Sequence, residues 1–511
     1  MAQDAKHDFG KWRAFFWPVH VYELKKLLPM FFMFFCISFN YTILRDTKDS
    51  LIVTSAGAEA IPFLKSFGVV PAAILFMIIY AKLSNVLSKE NLFYVTLLPF
   101  IIFFGLFAFF IYPKREALMP IESAEALRAY LPGGWKGLAA AYENWMYSLF
   151  YILAELWGSV VLSLLFWGFA NQITRVTEAK RFYSLFGLGA NLALLVSGPA
   201  IYYASDIRKH LPEGVDAWQV SLNYLMGMVV VAGLAILAVY WWINRNILTD
   251  ARFYDQDAPG LPKKKKMKMS LGDSFKFIFT SKYILSLAVL VIAYGIAINL
   301  VEITWKSQLK EQYPNPNDYS AFMGLFSTMT GAVTILMMLF VGGNVIRLKG
   351  WGFAAQITPV VLLVTGVAFF SFVIFKGSLA GYISALGTTP LFLAVIFGAA
   401  QNVMSKSAKY SLFDPTKEMA YIPLDEDSKV KGKAAVDVVG ARLGKSGGSL
   451  IQMGLLAFGT LAQITPYIGA ILLVVIVGWI YAARSLSKQF TQLTADQSVA
   501  NAVPDAKAKV I

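Results

Sequence analysis

Five ionic side chains stand where their neighbours are oil: Lys65 in Ile-Pro-Phe-Leu-Lys, Glu155 in Ala-Glu-Leu-Trp-Gly, Glu302 in Asn-Leu-Val-Glu-Ile-Thr-Trp-Lys, and Arg442 with Lys445 in Arg-Leu-Gly-Lys-Ser-Gly-Gly. Each would cost about 2.5 to 3.5 kcal/mol at the middle of a lipid-facing helix, so all five are expected to face a wet interior space. Arg442 and Lys445 are three residues apart and share a helical face. Gly444, Gly447 and Gly448 beside them would let a ligand or a neighbouring helix approach closely. Arginine offers a rigid donor fork and lysine a compact point charge, so cations held in such a space predict an anionic ligand, a phosphate or a carboxylate. The carboxylates would either pair with these cations in the empty protein and be displaced by the anion, or bind a proton. Structural readings compete with both. Lys445 could be ion-paired to Glu155 or Glu302, Glu155 could be a protonated carboxyl joining two helices, and Lys65 and Glu302, near expected span ends, could snorkel to the interface.

Other chemistry finds no support in the residues. Gly440-Ala-Arg-Leu-Gly444-Lys445-Ser446 resembles a Walker A loop, but three residues separate its glycines where that motif requires four. His7, His20 and His210 are scattered and give no metal-ligand spacing. The lone Cys36 lies inside an apolar run and cannot form an internal disulfide. No nucleophile, triad or metal set is apparent, and no cofactor is called for.

The elements that must carry the five charges follow from composition. Of 511 residues 57% are hydrophobic and only 15% charged, and the mean hydropathy is +0.58. A soluble chain of this size could not hide so much apolar surface. The apolar residues come in blocks of about twenty, which in hydrocarbon must be helices. Spans are expected near 28–44, 60–80, 92–112, 145–170, 183–203 and 219–243, then 284–303, 320–341, 353–375, 380–404, 434–460 and 464–483. This is an all-α integral membrane protein of about twelve transmembrane helices. Residues 1–27 read as a cytoplasmic, interfacial segment, with an amphipathic helix over 11–27 and no cleavable signal peptide.

A basic break at 244–283, with Lys263 to Lys266 and Lys268, separates an N-terminal half (28–243) from a C-terminal half (284–483), and 484–511 forms a tail. With the N-terminus inside, 31 of the 45 Lys and Arg residues fall on one side of the membrane and 11 on the other. That asymmetry places both termini in the cytoplasm and accounts for the net charge of +14 without a nucleic-acid partner. A repeat supports two halves: Tyr183-Ser184-Leu185-Phe186 recurs as Tyr410-Ser411-Leu412-Phe413, each after Ala-Asn-Gln or Ala-Gln-Asn. Two parallel six-helix halves form a major-facilitator-like architecture, whose ligand site lies between them near mid-membrane.

Several long motifs then point to a family. They are Phe39-Asn-Tyr-Thr-Ile-Leu-Arg-Asp-Thr-Lys-Asp49, Glu155-Leu-Trp-Gly-Ser159, Phe166-Trp-Gly-Phe-Ala-Asn-Gln172, Ser405-Lys-Ser-Ala-Lys-Tyr-Ser-Leu-Phe-Asp-Pro415 and Gly444-Lys-Ser-Gly-Gly448. Together they resemble the nucleotide transporter family, the ATP/ADP translocases of obligate intracellular bacteria and plastids. The resemblance covers about residues 20 to 485. It implies import of ATP in exchange for ADP and phosphate by a monomer in the bacterial inner membrane, the plastid inner envelope being the lesser alternative. It also implies four transport-critical charges, which fall on Lys65, Glu155, Glu302 and Lys445. One departure is Gly440-Ala441-Arg442, where many members carry Cys-Asn-Pro or Cys-Ser-Arg. On this reading Lys65 and Lys445, helped by Arg442, hold the phosphates, Glu155 and Glu302 switch as counter-charges, and Asn191, Asn299 and Trp157 are candidates for nucleoside contact. A proton-coupled nucleotide importer of broader specificity is the alternative, and a membrane-embedded nucleotide-dependent enzyme is less favoured.

Overall fold

The computed structural model describes residues 19–174, 176–250, 253, 278, 279 and 281–502. Most of the expected interfacial segment and of the basic linker lies outside these residues. Among those described, the chain is helical with no strand. The long helical segments are α1 (Leu24–Ser55), α2 (Ala60–Val86), α3 (Lys89–Leu118), α4 (Trp145–Ile173), α5 (Val176–Asp206) and α6 (Ala217–Asn246). They continue as α7 (Lys282–Gln312), α8 (Pro316–Lys349), α9 (Trp351–Ile374), α10 (Pro390–Ala420), α11 (434–456) and α12 (Leu461–Ala502). Eleven stretches are long and apolar enough to cross a membrane. The exception is α11, in which Arg442, Lys445 and five glycines dilute the apolar residues.

Several boundaries differ from the sequence reading, and for three of the differences the physical reason is plain. Expected to stop at 44, α1 runs on to Ser55, because Arg45 to Asp49 find charged partners inside the bundle and Leu51, Ile52 and Val53 resume the buried run. Similarly, α7 passes 303 and reaches Gln312, with Lys306 buried and Trp305 and Leu309 packed on either side. The span expected over 380–404 is divided. Gly387 takes a left-handed φ of +74°, and Thr389 caps a new helix by accepting the Phe392 N–H at 3.1 Å. Lys376–Ser384 is therefore a short separate helix. The two copies of the repeated tetrapeptide also sit differently, the first near the head of α5 and the second in the tail of α10.

Backbone pairing is kept within each helix, as hydrocarbon requires. Interior hydroxyls return to their own helix: Thr42 donates to the Ser38 carbonyl, Ser50 to that of Asp46 and Thr304 to that of Leu300. The first six long helices meet the last six along seams that use small residues. At α5/α8, a Cβ on Gly198 would lie 2.6 Å from the Gly324 carbonyl oxygen, so only glycine permits the approach. Gly295 of α7 and Gly444 of α11 are likewise back to back, a Cβ on the former falling 2.8 Å from the Cα of the latter.

Contacts across the two sets of helices gather towards the end that carries Ser55, Trp135, His210 and Tyr313. There Ser205 meets Ser320 at 2.9 Å, Arg208 pairs with Asp318 at 2.8 Å, and the Asn317 amide donates to the Ser205 carbonyl and the Ser221 hydroxyl. Gly134 is wedged against the Leu456 and Gly459 carbonyls. This is the sealed end. With Cys36 replaced by alanine, cysteines at Ser205 and Ser320 should form a disulfide on mild oxidation, detected as one linked peptide by mass spectrometry. Absence of the link would place the two helices further apart than the fold has them.

Candidate functional site

A run of alternating charges crosses the interior between the two sets of helices. Glu155 of α4 accepts from Lys48 of α1 at 3.0 Å, and Lys48 also holds Asp49 at 2.8 Å. Asp49 in turn takes Lys306 of α7 at 2.8 Å. Lys306 reaches Glu302, one turn earlier on α7, at 2.7 Å. Glu302 then meets Lys65 of α2 at 3.4 Å, and the Lys65 ammonium ends the run by donating to the Asn299 amide oxygen at 2.8 Å. Three cations face three carboxylates, so the run is neutral. Two of its links, Asp49–Lys306 and Glu302–Lys65, join the first six helices to the last six.

Burial divides the run into a dry middle and wetter ends. The side chains of Lys48, Asp49 and Lys306 are 2 to 3% exposed, whereas those of Lys65, Glu302 and Glu155 are 21, 27 and 32% exposed. The end groups are thus open to an arriving solute while the middle is held by protein alone. A second pair lies nearby on α1. Arg45 binds Asp46 at 3.0 Å and the Ser327 hydroxyl of α8 at 2.9 Å, and Ser327 donates back to Asp46 at 2.5 Å. Widened π turns fall beside several of these charges: Lys65 lies inside Leu64–Val69, Gly158–Phe166 opens three residues after Glu155, and Ala434–Gly440 ends two before Arg442. Such turns re-aim a helix face at a site.

Arg442 and Lys445 are exposed on α11 and have no ion-pair partner among the described residues. Their direction follows from the glycine face. Gly444 and Gly448 pack on α7, while the exposed apolar Leu443 and Leu450 lie to one side of that contact. At 100° per residue, Lys445 falls about 140° to 160° round the helix from these leucines, on the opposite flank, and Arg442 about 80° to 100° from them. The carboxylates that could have paired with Lys445 are occupied by Lys48, Lys306 and Lys65 instead.

The remaining sequence candidates are placed as follows. Asn299 is buried, holds Lys65 through its side chain, and accepts from Gln452 of α11 at its carbonyl, 3.1 Å. Asn191 lies on the α5/α8 seam, its amide donating to the Gly187 carbonyl at 3.0 Å and lying 3.8 Å from the Met338 sulfur. Trp157 is fully buried against Phe100 and Phe104, and its indole donates to the Ile37 carbonyl. Sequence reasoning missed Arg45, Asp46, Lys48, Asp49 and Lys306. The available signal was that apolar residues resume after each: Leu51 to Val53 beyond the first four, Leu309 beyond the last. An apolar cleft of about 510 Å³ between α2, α3 and α4, lined by Phe76, Tyr80 and Phe100, contains no charged side chain and is separate from this site.

A helical membrane protein whose two sets of helices are joined by interior ion pairs, sealed at one end and carrying unpaired cations, has the construction of an alternating-access carrier. Comparison with solved structures agrees on the fold. The chain matches a bacterial homologue of the iron transporter ferroportin in an inward-facing state (TM-score 0.56, 14% identity, 91% of this chain and 100% of that one). It also matches a D-xylose-proton symporter (TM-score 0.51, 12% identity, 90% and 96%). The family is given by sequence. The model for the TLC ATP/ADP transporter matches residues 2–490. The ADP,ATP carrier protein 1 of Chlamydia muridarum is 59% identical over 99% of this chain and 97% of its own length. A chloroplastic ADP,ATP carrier protein 1 of Arabidopsis thaliana is 57% identical over 94% of this chain and 76% of its own length. For the ADP,ATP carrier protein 1 of Rickettsia bellii the identity is 48%, over 94% and 96%. The chain belongs to the TLC ATP/ADP transporter family and is a transporter, not an enzyme.

The buried middle of the run makes a stability prediction. Removing one partner of a buried pair leaves an uncompensated charge and costs about 3 to 5 kcal/mol. Lys306→Met should therefore lower the thermal midpoint in detergent sharply. Lys306→Met combined with Asp49→Asn should recover most of the loss, because Lys48–Glu155 and Lys65–Glu302 then remain as two neutral pairs. Equal destabilisation in the single and the double variant would mean that these groups do not interact.

Proposed function

We propose that this chain exchanges ATP for ADP across a membrane by alternating access, with the interior ion run as the element that changes partners. The observation that carries the reading is the pair of links, Asp49–Lys306 and Glu302–Lys65, that ties the two sets of helices together while Lys65 and Glu302 remain reachable from solvent. Relatives named as ADP,ATP carriers support ATP and ADP as the substrates.

In the empty protein the carboxylates stand in for a phosphate chain. Glu302 occupies Lys65, and Glu155 occupies Lys48. An arriving nucleotide offers phosphate oxygens that make charge-assisted hydrogen bonds to the same ammonium groups. Lys65 on α2, with Lys445 and Arg442 on α11, contacts these oxygens and releases Glu302. Once the links between the halves are exchanged for links to the ligand, the sealed end can part and the opposite end can close. A carrier without ligand would have to separate Lys65 from Glu302 with nothing to replace either, a cost of several kcal/mol that suppresses uncoupled movement. Exchange rather than one-way flux follows from that constraint. Because ATP carries one more negative charge than ADP, exchange of the two alone would be driven by membrane potential at about 2.3 kcal/mol per charge per 100 mV. Co-movement of a singly charged phosphate with ADP would cancel that difference. The lipid bilayer of a bacterial inner membrane, with both termini in the cytoplasm, is the setting that the basic loops favour.

The reading predicts that purified protein in liposomes takes up labelled ATP when ADP is inside and takes up almost none when the vesicles are empty. Lys445→Ala and Glu155→Gln should each lower the exchange rate by about ten-fold or more, the loss of one charge-assisted contact. Equal uptake into empty and ADP-loaded vesicles would overturn obligatory exchange. Undiminished exchange in both variants would remove the assigned site.

A further inference from the structure

Lys406 lies on α10, inside the bundle, and is treated differently from the other interior lysines. Lys26, Lys48, Lys65 and Lys306 each have a carboxylate within 3.4 Å. For Lys406 no hydrogen bond or carboxylate partner occurs among the described residues. Its ammonium instead stands 4.8 Å above the ring of Phe326 on α8. The next residue of α8, Ser327, holds Arg45 and Asp46 of α1, so Lys406 borders the seam between the two sets of helices. Arg45, Glu302, Asp46 and Lys306 all lie within electrostatic reach of it, so it borders the ion run.

A structural role does not account for this placement. A cation at a helix C-terminus is stabilised by the terminal carbonyls. Here the helix continues: the Lys409 N–H returns to the Ser405 and Lys406 carbonyls, and the turn Lys409–Phe413 leads on to Asp414–Ala420. Cation–π attraction to one ring contributes about 2 kcal/mol when desolvated, less than the several kcal/mol lost by taking an ion out of water. The charge balance of the interior points to the missing partner. Lys48, Lys65 and Lys306 are matched by Asp49, Glu155 and Glu302, and Arg45 by Asp46. Lys406 adds a positive charge on α10 that protein does not match, as Arg442 and Lys445 do on α11. A nucleoside di- or triphosphate brings several negative charges to the same space.

We propose that Lys406 is a further phosphate-binding residue of the carrier, contacting the phosphate chain from α10. The assignment rests on the nucleotide-exchange reading above. Within it, Lys406 contributes charge that a nucleoside monophosphate uses less than a di- or triphosphate does, so it favours the longer phosphate chains.

The test is ADP and AMP binding to the purified full-length carrier, measured by calorimetry at two salt concentrations, with thermal unfolding of the empty protein alongside. Lys406→Gln should weaken ADP binding by about ten-fold or more, narrow the preference for ADP over AMP and flatten the salt dependence. Lys406→Arg should restore most of the affinity. The empty Lys406→Gln protein should melt at or above the wild-type temperature, since it loses a charge that nothing compensates. Wild-type affinity and salt dependence in Lys406→Gln would overturn the assignment while leaving nucleotide exchange intact. So would a lowered melting temperature or a failure to fold, which would make Lys406 structural. Failure of the wild-type protein to bind ADP at all would instead overturn the exchange reading and this one with it.

Discussion

A charge inside hydrocarbon must find an opposite charge or a polar partner, and this constraint organises the whole interior. Three lysines and three carboxylates satisfy one another in a single run from Glu155 to Lys65, and the run crosses from the first six helices to the last six. Packing alone would not distinguish this state from its neighbours, since apolar side chains slide past lipid and protein with similar energies. Ion pairs do distinguish it, because they are satisfied in one geometry and expensive to leave open. The glycine seams at α5/α8 and α7/α11 bring the backbones close enough for those pairs to form.

On the proposed function the same constraint gives the carrier its coupling. A nucleotide phosphate chain is chemically a replacement for the carboxylates, able to take over Lys65 without leaving a buried charge exposed. Movement of the halves then accompanies a change of partners rather than a loss of them. The dry middle of the run, Lys48, Asp49 and Lys306, is shielded from solute, while Lys65, Glu302 and Glu155 are open to it.

Much of this was legible in the sequence. Apolar blocks gave the helical membrane fold, and the cost of isolated charges picked out Lys65, Glu155 and Glu302, which the structure brings into one network, along with Arg442 and Lys445, which are exposed on α11. The rest was hidden for a definite reason. Hydropathy ends a span where charges begin, so Arg45 to Asp49 and Lys306 were read as lying beyond the membrane. Partners distant in sequence keep them inside: Lys306 is 257 residues from Asp49 along the chain. Pairing of that kind has no local periodicity. Lys406 escaped by the same rule, sitting just past the expected end of its span, and Trp157, an attractive aromatic beside Glu155, proves to be packed in the core of the first six helices.

The central claim is that the ion run holds the sealed end shut until nucleotide replaces it. It is tested most directly by pulsed electron paramagnetic resonance between spin labels at Lys209 and Glu311, exposed positions on opposite sides of the seam, in a protein with Cys36 replaced by alanine. The account predicts one short distance in the empty carrier. A longer-distance population should appear on adding ADP, and also without ADP when Asp49→Asn breaks the clasp. A distance distribution that is the same in all three samples would contradict it.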